Sequence, residues 1–159
     1  GINSQKGQPR QEVIMFKHIL LPTDGSELSA ATIHQGVLFA RGIGAEVTGL
    51  CVMPLQQMLF YDMVIPREAF AQNTQPWKEL AETYLAAIEK GAKKAGVECD
   101  VVHERSDSPY EVIIRVAEEK SCDLIMMASH GRRGVKALLI GSETQKVLTH
   151  SRIPVLVYR

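Results

Sequence analysis

The sequence predicts one α/β domain: a doubly wound parallel sheet of five strands with helices on both faces. Three observations carry that prediction. Short apolar runs alternate with longer stretches of helical spacing from residue 15 to the end of the chain, the pattern of consecutive β-α-β units. Two of the runs, 16–21 and 123–127, are nearly continuous in apolar residues, as strands covered on both faces must be. The 159 residues are 45% hydrophobic, enough for one core but too few residues for two domains of ordinary size.

Taken in order, the first strand, 16–21, runs into Pro22-Thr23-Asp24-Gly25-Ser26. Ser26 is the expected N-cap of a helix over 27–41, in which Ala30, Ile33, Val37 and Ala40 recur at helical spacing. Gly42 and Gly44 are expected to stop that helix. The second strand covers 46–53. The stretch 54–75 has no clear periodicity, and a loop of that length is functional or disordered. Its Met58, Leu59, Phe60 and Tyr61 could cover a ligand, cover a partner subunit or form a short helix.

The second helix, 76–96, carries the stripe Trp77, Leu80, Ala81, Tyr84, Leu85 and Ile88 and closes on Gly96. The third strand, 97–103, alternates Val97, Cys99 and Val101 with polar residues, which marks a half-exposed edge. Ser108-Pro109-Tyr110-Glu111 reads as a capping box with proline at the first helical position. After the fourth strand, 123–127, comes a second capping box, Ser142-Glu143-Thr144-Gln145, and a last strand at 154–158. Right-handed crossovers and the exposed third strand give the strand order 3-2-1-4-5. The topological switch then lies between the first and fourth strands, and ligands bind there at the carboxyl ends. Residues 1–14 are polar and aperiodic, and are set apart as a flexible leader, an expression remnant or a native tail. Met15 is a candidate start, and 15–159 form the domain.

Charge and cysteine content narrow the function classes. Eighteen Lys+Arg balance 18 Asp+Glu, without the basic excess of a general nucleic-acid or anionic-membrane binder. No apolar run reaches the length of a membrane span, and the polar N-terminus does not read as a secretory signal. Cys51, Cys99 and Cys122 form no CxxC pair and sit in or beside apolar runs. They read as buried free thiols in a reducing, cytoplasmic compartment.

The chemistry is expected at two strand-to-helix turns. One is Pro22 to Ser26; the other is Ala128-Ser129-His130-Gly131, nine residues, then Gly141-Ser142. A helix N-terminus offers unpaired N–H groups and a partial positive charge to an anion. Gly131 can take a positive φ and let the backbone approach a phosphate. Ser142 and Thr144 add hydroxyls, and Arg132 and Arg133 add forked guanidinium groups. Asp24 is the one carboxylate of the first turn able to accept a ribose hydroxyl or help hold Mg²⁺. There is no GxxxxGK[S/T], so this is not a P-loop. Plainer readings stand beside these: Ser142 as an N-cap alone, Asp24 as a turn closer, Arg132 and Arg133 as a solvated pair. His130 has no second metal ligand at a suitable spacing, and His18, His34, His103 and His150 read as ordinary surface or packing residues.

From Met15 to Arg159 the chain resembles the universal stress protein family. The match rests on HILLPTDGS at 18–26, MMASHGRRG at 126–134 and GSETQKVLTHSRIPVLVYR at 141–159. The family's ATP-binding branch is marked by G-x-x-G-x9-G-[S/T], which here reads Ala128-x-x-Gly131-x9-Gly141-Ser142, with alanine in place of the first glycine. The resemblance implies a Rossmann-like sheet of the adenine nucleotide alpha hydrolase-like type, ATP between the first and fourth strands with or without Mg²⁺, and a homodimer. By motif, Pro22, Thr23 and Asp24 would line the adenosine side, and the backbone of Val52 would meet the adenine. Met127, Ala128, His130 and Gly131 would floor the site, and Gly141, Ser142 and Thr144 would hold phosphates. Ala128 is tolerated at an ordinary φ and strained at a positive one. Glu143 favours its helix but repels a neighbouring phosphate, so Glu143→Val is expected to tighten ATP binding.

No nucleophile–base pair and no clear general base stand near the phosphates. ATP is therefore expected as a ligand or switch of the dimer, with slow hydrolysis left open. The alternative is a nucleotide-free dimeric module that acts through protein partners. An adenylating enzyme on the same crevice is a third reading, which fold alone cannot support. Strand 154–158, short, apolar and last in the sheet, is the expected dimer edge.

Overall fold

A computed structural model describes residues 15–55, 76–131 and 140–159. The elements are β1 (His18–Thr23), α1 (Glu27–Ile43), β2 (Glu46–Met53), α2 (Pro76–Ala95), β3 (Cys99–Arg105), α3 (Pro109–Glu119), β4 (Leu124–Ala128), α4 (Ser142–His150) and β5 (Val155–Tyr158). The strands form one sheet in the order β3-β2-β1-β4-β5, and every pair is parallel. This is the predicted α/β, Rossmann-like architecture.

Alternation along the central strands divides the core in two. Ile19 and Leu21 of β1 and Leu124 and Met126 of β4 pack with Val37, Leu85 and Ile88 under α1 and α2. Leu20, Ile125 and Met127 pack with Val112, Ile113, Val116 and Val147 under α3 and α4. Both faces of β1 and β4 are therefore covered, which is why their sequences are apolar without alternation.

The foot of the sheet is tied by Asp123. Its carboxylate accepts N–H bonds from Lys17, at 2.9 Å to Oδ2, and from His18, at 3.0 Å to Oδ1. These ties start β1 two residues later than the apolar run suggests. β3 also starts two residues late. Gly96, at φ 72°, and the Val97 N–H bond to the Ala92 carbonyl still belong to the cap of α2.

At the top of the sheet the β1–β4 seam opens. The Asp123 N–H bonds to the His18 carbonyl, whereas the Glu46 N–H bonds to the Lys17 carbonyl. Even-numbered residues of β1 therefore turn their backbone groups towards β4, and odd-numbered ones towards β2. Pro22 falls on the β4 side and has no N–H to give. The β1–β4 register covers Ile19↔Leu124 and Leu20↔Ile125, while β1–β2 pairs all the way to Thr23↔Cys51. The crevice begins where the proline ends the ladder.

Several local expectations are corrected. Helix α1 runs through Gly42 and ends at Gly44, whose φ is 72° and whose N–H reaches the Ala40 and Arg41 carbonyls. Only the closing residue of the cap needs the left-handed conformation. Ala30 is exposed, and the buried face is Ser29, Thr32, Gly36, Val37 and Ala40. The two hydroxyls bury cheaply because both are paired: Thr32 Oγ1 donates to the Leu28 carbonyl at 2.7 Å, and Ser29 Oγ donates to Thr23 Oγ1 at 2.7 Å. Ser108 is the N-cap of α3 but makes no side-chain capping bond. The N-cap of α4 is Gly141 and not Ser142, which is the first helical residue. Cys51 and Cys122 are buried free thiols, but Cys99 is only half-buried. Burial is the main force pushing the Cys99 thiol up to about 11 and the Cys122 thiol up to about 12, which keeps both neutral near pH 7.

Leu20 is fully buried in the central strand. Leu20→Ala should lower the unfolding free energy by about 2–5 kcal/mol, read from the shift of the urea midpoint.

Candidate functional site

The carboxyl ends of β1, β2 and β4 form the rim of the crevice. The turn after β1 is held by its own polar groups. Thr23 is buried, and its Oγ1 accepts the Gly25 N–H at 3.1 Å as well as the Ser29 hydroxyl. Asp24 Oδ1 accepts the Ser26 N–H at 2.9 Å, and Ser26 Oγ accepts the Ser29 N–H at 3.2 Å as the cap of α1. Gly25 has φ 77°, and the Tyr84 ring of α2 fills the space where its side chain would stand. Gly25 is thus glycine for two reasons, its conformation and the ring above it.

The second turn leaves β4 at Ala128, which pairs with Tyr158 of β5. Ser121 is the only described non-glycine residue with positive φ. Ala128 therefore carries its methyl in ordinary extended backbone. The Ser129 N–H bonds to the Tyr158 carbonyl at 2.8 Å, and the Ser129 carbonyl accepts the Gly141 N–H at 2.7 Å. A Cβ at Gly141 would press on His130 Cα at 3.2 Å and on the Ser129 carbonyl at 3.3 Å. The missing side chain lets α4 begin directly against the end of β4.

The two turns meet at one point. A Cβ on Gly131 would collide with Asp24 Oδ2. Gly131 is not among the described glycines with positive φ, which are Gly25, Gly44 and Gly96. The expected reason for this glycine is therefore corrected: its backbone is not left-handed, and a side chain there would instead have to displace the Asp24 carboxylate.

The start of α4 shows how the remaining residues are used. Ser142 is exposed on its first turn. Thr144 is 3% exposed, and its hydroxyl donates to the Ala128 carbonyl at 2.9 Å, bracing the helix on β4. Glu143 turns towards α3. Its Oε2 accepts the Tyr110 N–H at 3.0 Å, and its Oε1 lies 3.3 Å from Lys146 Nζ. Glu143 supplies the capping bond that Ser108 does not make, and Lys146 offsets part of its charge. Met127 is 7% exposed and belongs to the core under α3 and α4. Pro22 is half-buried at the opening of the seam, as are Val52 at the end of β2 and His130 beyond β4. His130 Nδ1 lies 3.2 Å from Ser129 Oγ.

Arg132 and Arg133 lie outside the described residues, as do Met58, Leu59, Phe60 and Tyr61. Among the described residues no cluster of three or more His, Cys, Asp or Glu is placed to hold a metal ion. No helix among them is long and apolar enough to cross a membrane. Sequence reasoning missed three contributors: Tyr84 over Gly25, Ser129 as the link between β5 and Gly141, and Tyr110 as the partner of Glu143.

The universal stress protein family profile matches residues 15–159. Universal stress protein YxiE of Bacillus subtilis is 30% identical over 150 residues, covering 91% of this chain and 100% of YxiE. Among solved structures, the hypothetical protein MJ0577 superposes with a TM-score of 0.71 at 28% identity, covering 90% of this chain and 95% of that one. That protein is a universal stress protein of Methanocaldococcus jannaschii. A universal stress protein from Archaeoglobus fulgidus, solved in complex with dAMP, superposes with a TM-score of 0.65 at 16% identity, covering 92% of this chain and 99% of that one.

The Glu143 bond separates two effects. Glu143→Val should destabilise the protein by about 1 kcal/mol through loss of the α3 cap, while Glu143→Gln, which keeps an acceptor oxygen, should lose less. Urea denaturation of both variants checks the order.

Proposed function

The chain belongs to the universal stress protein family, and from that premise we propose that it binds ATP in the β1/β4 crevice, as the ligand or switch of a homodimer. The observation that carries this reading is the convergence of the two turns, with the Asp24 carboxylate against Gly131. An open seam between central strands, a carboxylate at its mouth and a helix N-terminus beyond it are the parts that a ribose and a phosphate chain require. The dAMP complex of the Archaeoglobus fulgidus protein supports an adenine nucleotide as the class of ligand.

In this reading the backbone of Val52 meets the adenine, and Pro22, Thr23 and Asp24 line the adenosine side. Thr23 Oγ1 serves its turn, and Asp24, whose Oδ1 also holds the Ser26 N–H, is the carboxylate that accepts ribose hydroxyls or helps to hold Mg²⁺. Met127, Ala128, His130 and Gly131 form the floor. The phosphates lie over Gly131, Gly141 and Ser142 at the start of α4, with Arg132 and Arg133 supplying positive charge. Thr144 serves that helix as its brace, and Glu143 holds its charge towards α3. The nucleotide acts as a ligand in a cytoplasmic protein and not primarily as a substrate.

The dimer forms through β5. That strand is the edge of the sheet, and all four of its residues, Val155 to Tyr158, are half-buried in the single chain. An apolar edge of this kind pairs readily with a second copy across a two-fold axis.

Mass spectrometry of small molecules released from the denatured protein should find an adenine nucleotide, and calorimetry with ATP and Mg²⁺ should show saturable binding. Gly131→Val should abolish that binding while leaving the circular dichroism spectrum unchanged, because the new side chain displaces Asp24 at an exposed position. Retained affinity would remove the site. Light scattering at micromolar concentration should give the mass of two chains; a monomer mass would remove the dimer.

A further inference from the structure

The turn after β1 has two kinds of support. The bonds that shape it are local. Thr23 Oγ1 accepts the Gly25 N–H and the Ser29 hydroxyl, Asp24 Oδ1 accepts the Ser26 N–H, and Ser26 Oγ accepts the Ser29 N–H. Each joins residues within 23–29, so together they give the turn its form without fixing its place over the sheet. The second support comes from another helix. A Cβ on Gly25 would fall inside the Tyr84 ring, against Cζ, Cε1 and Cε2. The turn is thus seated on the hydroxyl-bearing end of that ring.

The ring is itself held. Tyr84 is half-buried on α2, beside Ala81, Leu85 and Ile88, which are buried in the core under that helix. Gly49 of β2 lets the helix sit close, since a Cβ there would stand 2.9 Å from Ile88 Cδ1. Helix α2 therefore bears directly on the sheet, and close packing passes its placement on to the turn. What that placement decides is the direction of Asp24. Its Oδ1 is engaged with the Ser26 N–H, and its Oδ2 stands where a side chain on Gly131 would be. Oδ2 thus points to the turn after β4. A carboxylate oxygen accepts a hydroxyl only within about 2.5–3.0 Å, so a shift of the turn by about 1 Å breaks such a bond and leaves the rest of the crevice intact.

We propose that Tyr84 is the positioning residue for ribose recognition: its ring, seated against Gly25, sets where the Asp24 carboxylate meets the ribose hydroxyls. The proposal rests on the nucleotide reading above and adds to it a residue from outside the two turns.

The test compares ATP with 2′,3′-dideoxy-ATP, which keeps the base and phosphates and lacks both ribose hydroxyls. Calorimetry with Mg²⁺ is run on the wild type, Asp24→Ala, Tyr84→Phe, Tyr84→Leu and Gly25→Ala, with a thermal melt of each. Wild type should favour ATP by about tenfold, as for a hydrogen bond to a charged acceptor, and Asp24→Ala should lose that preference. Tyr84→Phe keeps the ring and should keep the preference. Tyr84→Leu keeps apolar packing on α2 without the ring, and should lose most of the preference while its affinity for the dideoxy nucleotide is unchanged. Gly25→Ala disturbs the same contact from the other side and should do the same. A Tyr84→Leu protein that melts cooperatively and keeps the preference, or that weakens both nucleotides equally, overturns the role of Tyr84 and leaves the nucleotide site standing. Where Tyr84→Leu does not fold, Gly25→Ala decides on the same terms. A wild type that binds both nucleotides equally overturns the Asp24–ribose contact and this proposal with it. A wild type that binds neither overturns the nucleotide reading itself.

Discussion

A missing N–H in the middle of the sheet shapes everything above it. Pro22 lies in the central strand, on the side that faces β4, where a parallel ladder demands a donor. Proline is rare at such positions because it breaks the ladder. Here the break leaves the β1–β4 seam open above Leu20. Below it, Asp123 ties the first residues of β1, and the Leu20↔Ile125 rung keeps the seam shut. Above it, β1 and β4 leave the sheet in separate turns, and side chains have to define the space between them.

Small residues and committed hydroxyls control that space. Gly25 admits the ring of Tyr84, Gly131 admits the carboxylate of Asp24, and Gly141 admits the end of β4. Thr23, Ser129 and Thr144 are all buried and engaged with neighbouring groups. The rim is thus pre-organised by bonds that no ligand has to supply. Glu143 extends the same economy sideways, since one carboxylate serves α4 by its charge and α3 by its cap.

The strand order was legible because burial on both faces leaves a continuous apolar signature in β1 and β4 and a weaker one in β3. The site was legible as a glycine spacing and a turn. Its internal logic was not, because that depends on tertiary neighbours. The buried face of α1 uses Ser29, Thr32 and Gly36, which a hydrophobic count passes over. Ser108 and Ser142 sit in good capping-box sequences, yet Glu143 makes the capping bond at α3, and the cap of α4 stands one residue earlier, at Gly141. Gly131 reads as a flexible residue until Asp24 is placed beside it.

The two-rung seam between β1 and β4 also sets how occupancy and cohesion are related. The β2 and β4 halves of the sheet are joined across their middle by a short ladder, with the upper part left unzipped. A ligand seated in the gap bonds to both halves at once and so serves as the rungs that the chain itself omits. By mass action, anything that binds this way stabilises the folded state in proportion to the logarithm of its concentration. Were the proposed nucleotide that ligand, the lifetime of the protein against unfolding and proteolysis would become a readout of how much of it surrounds the chain.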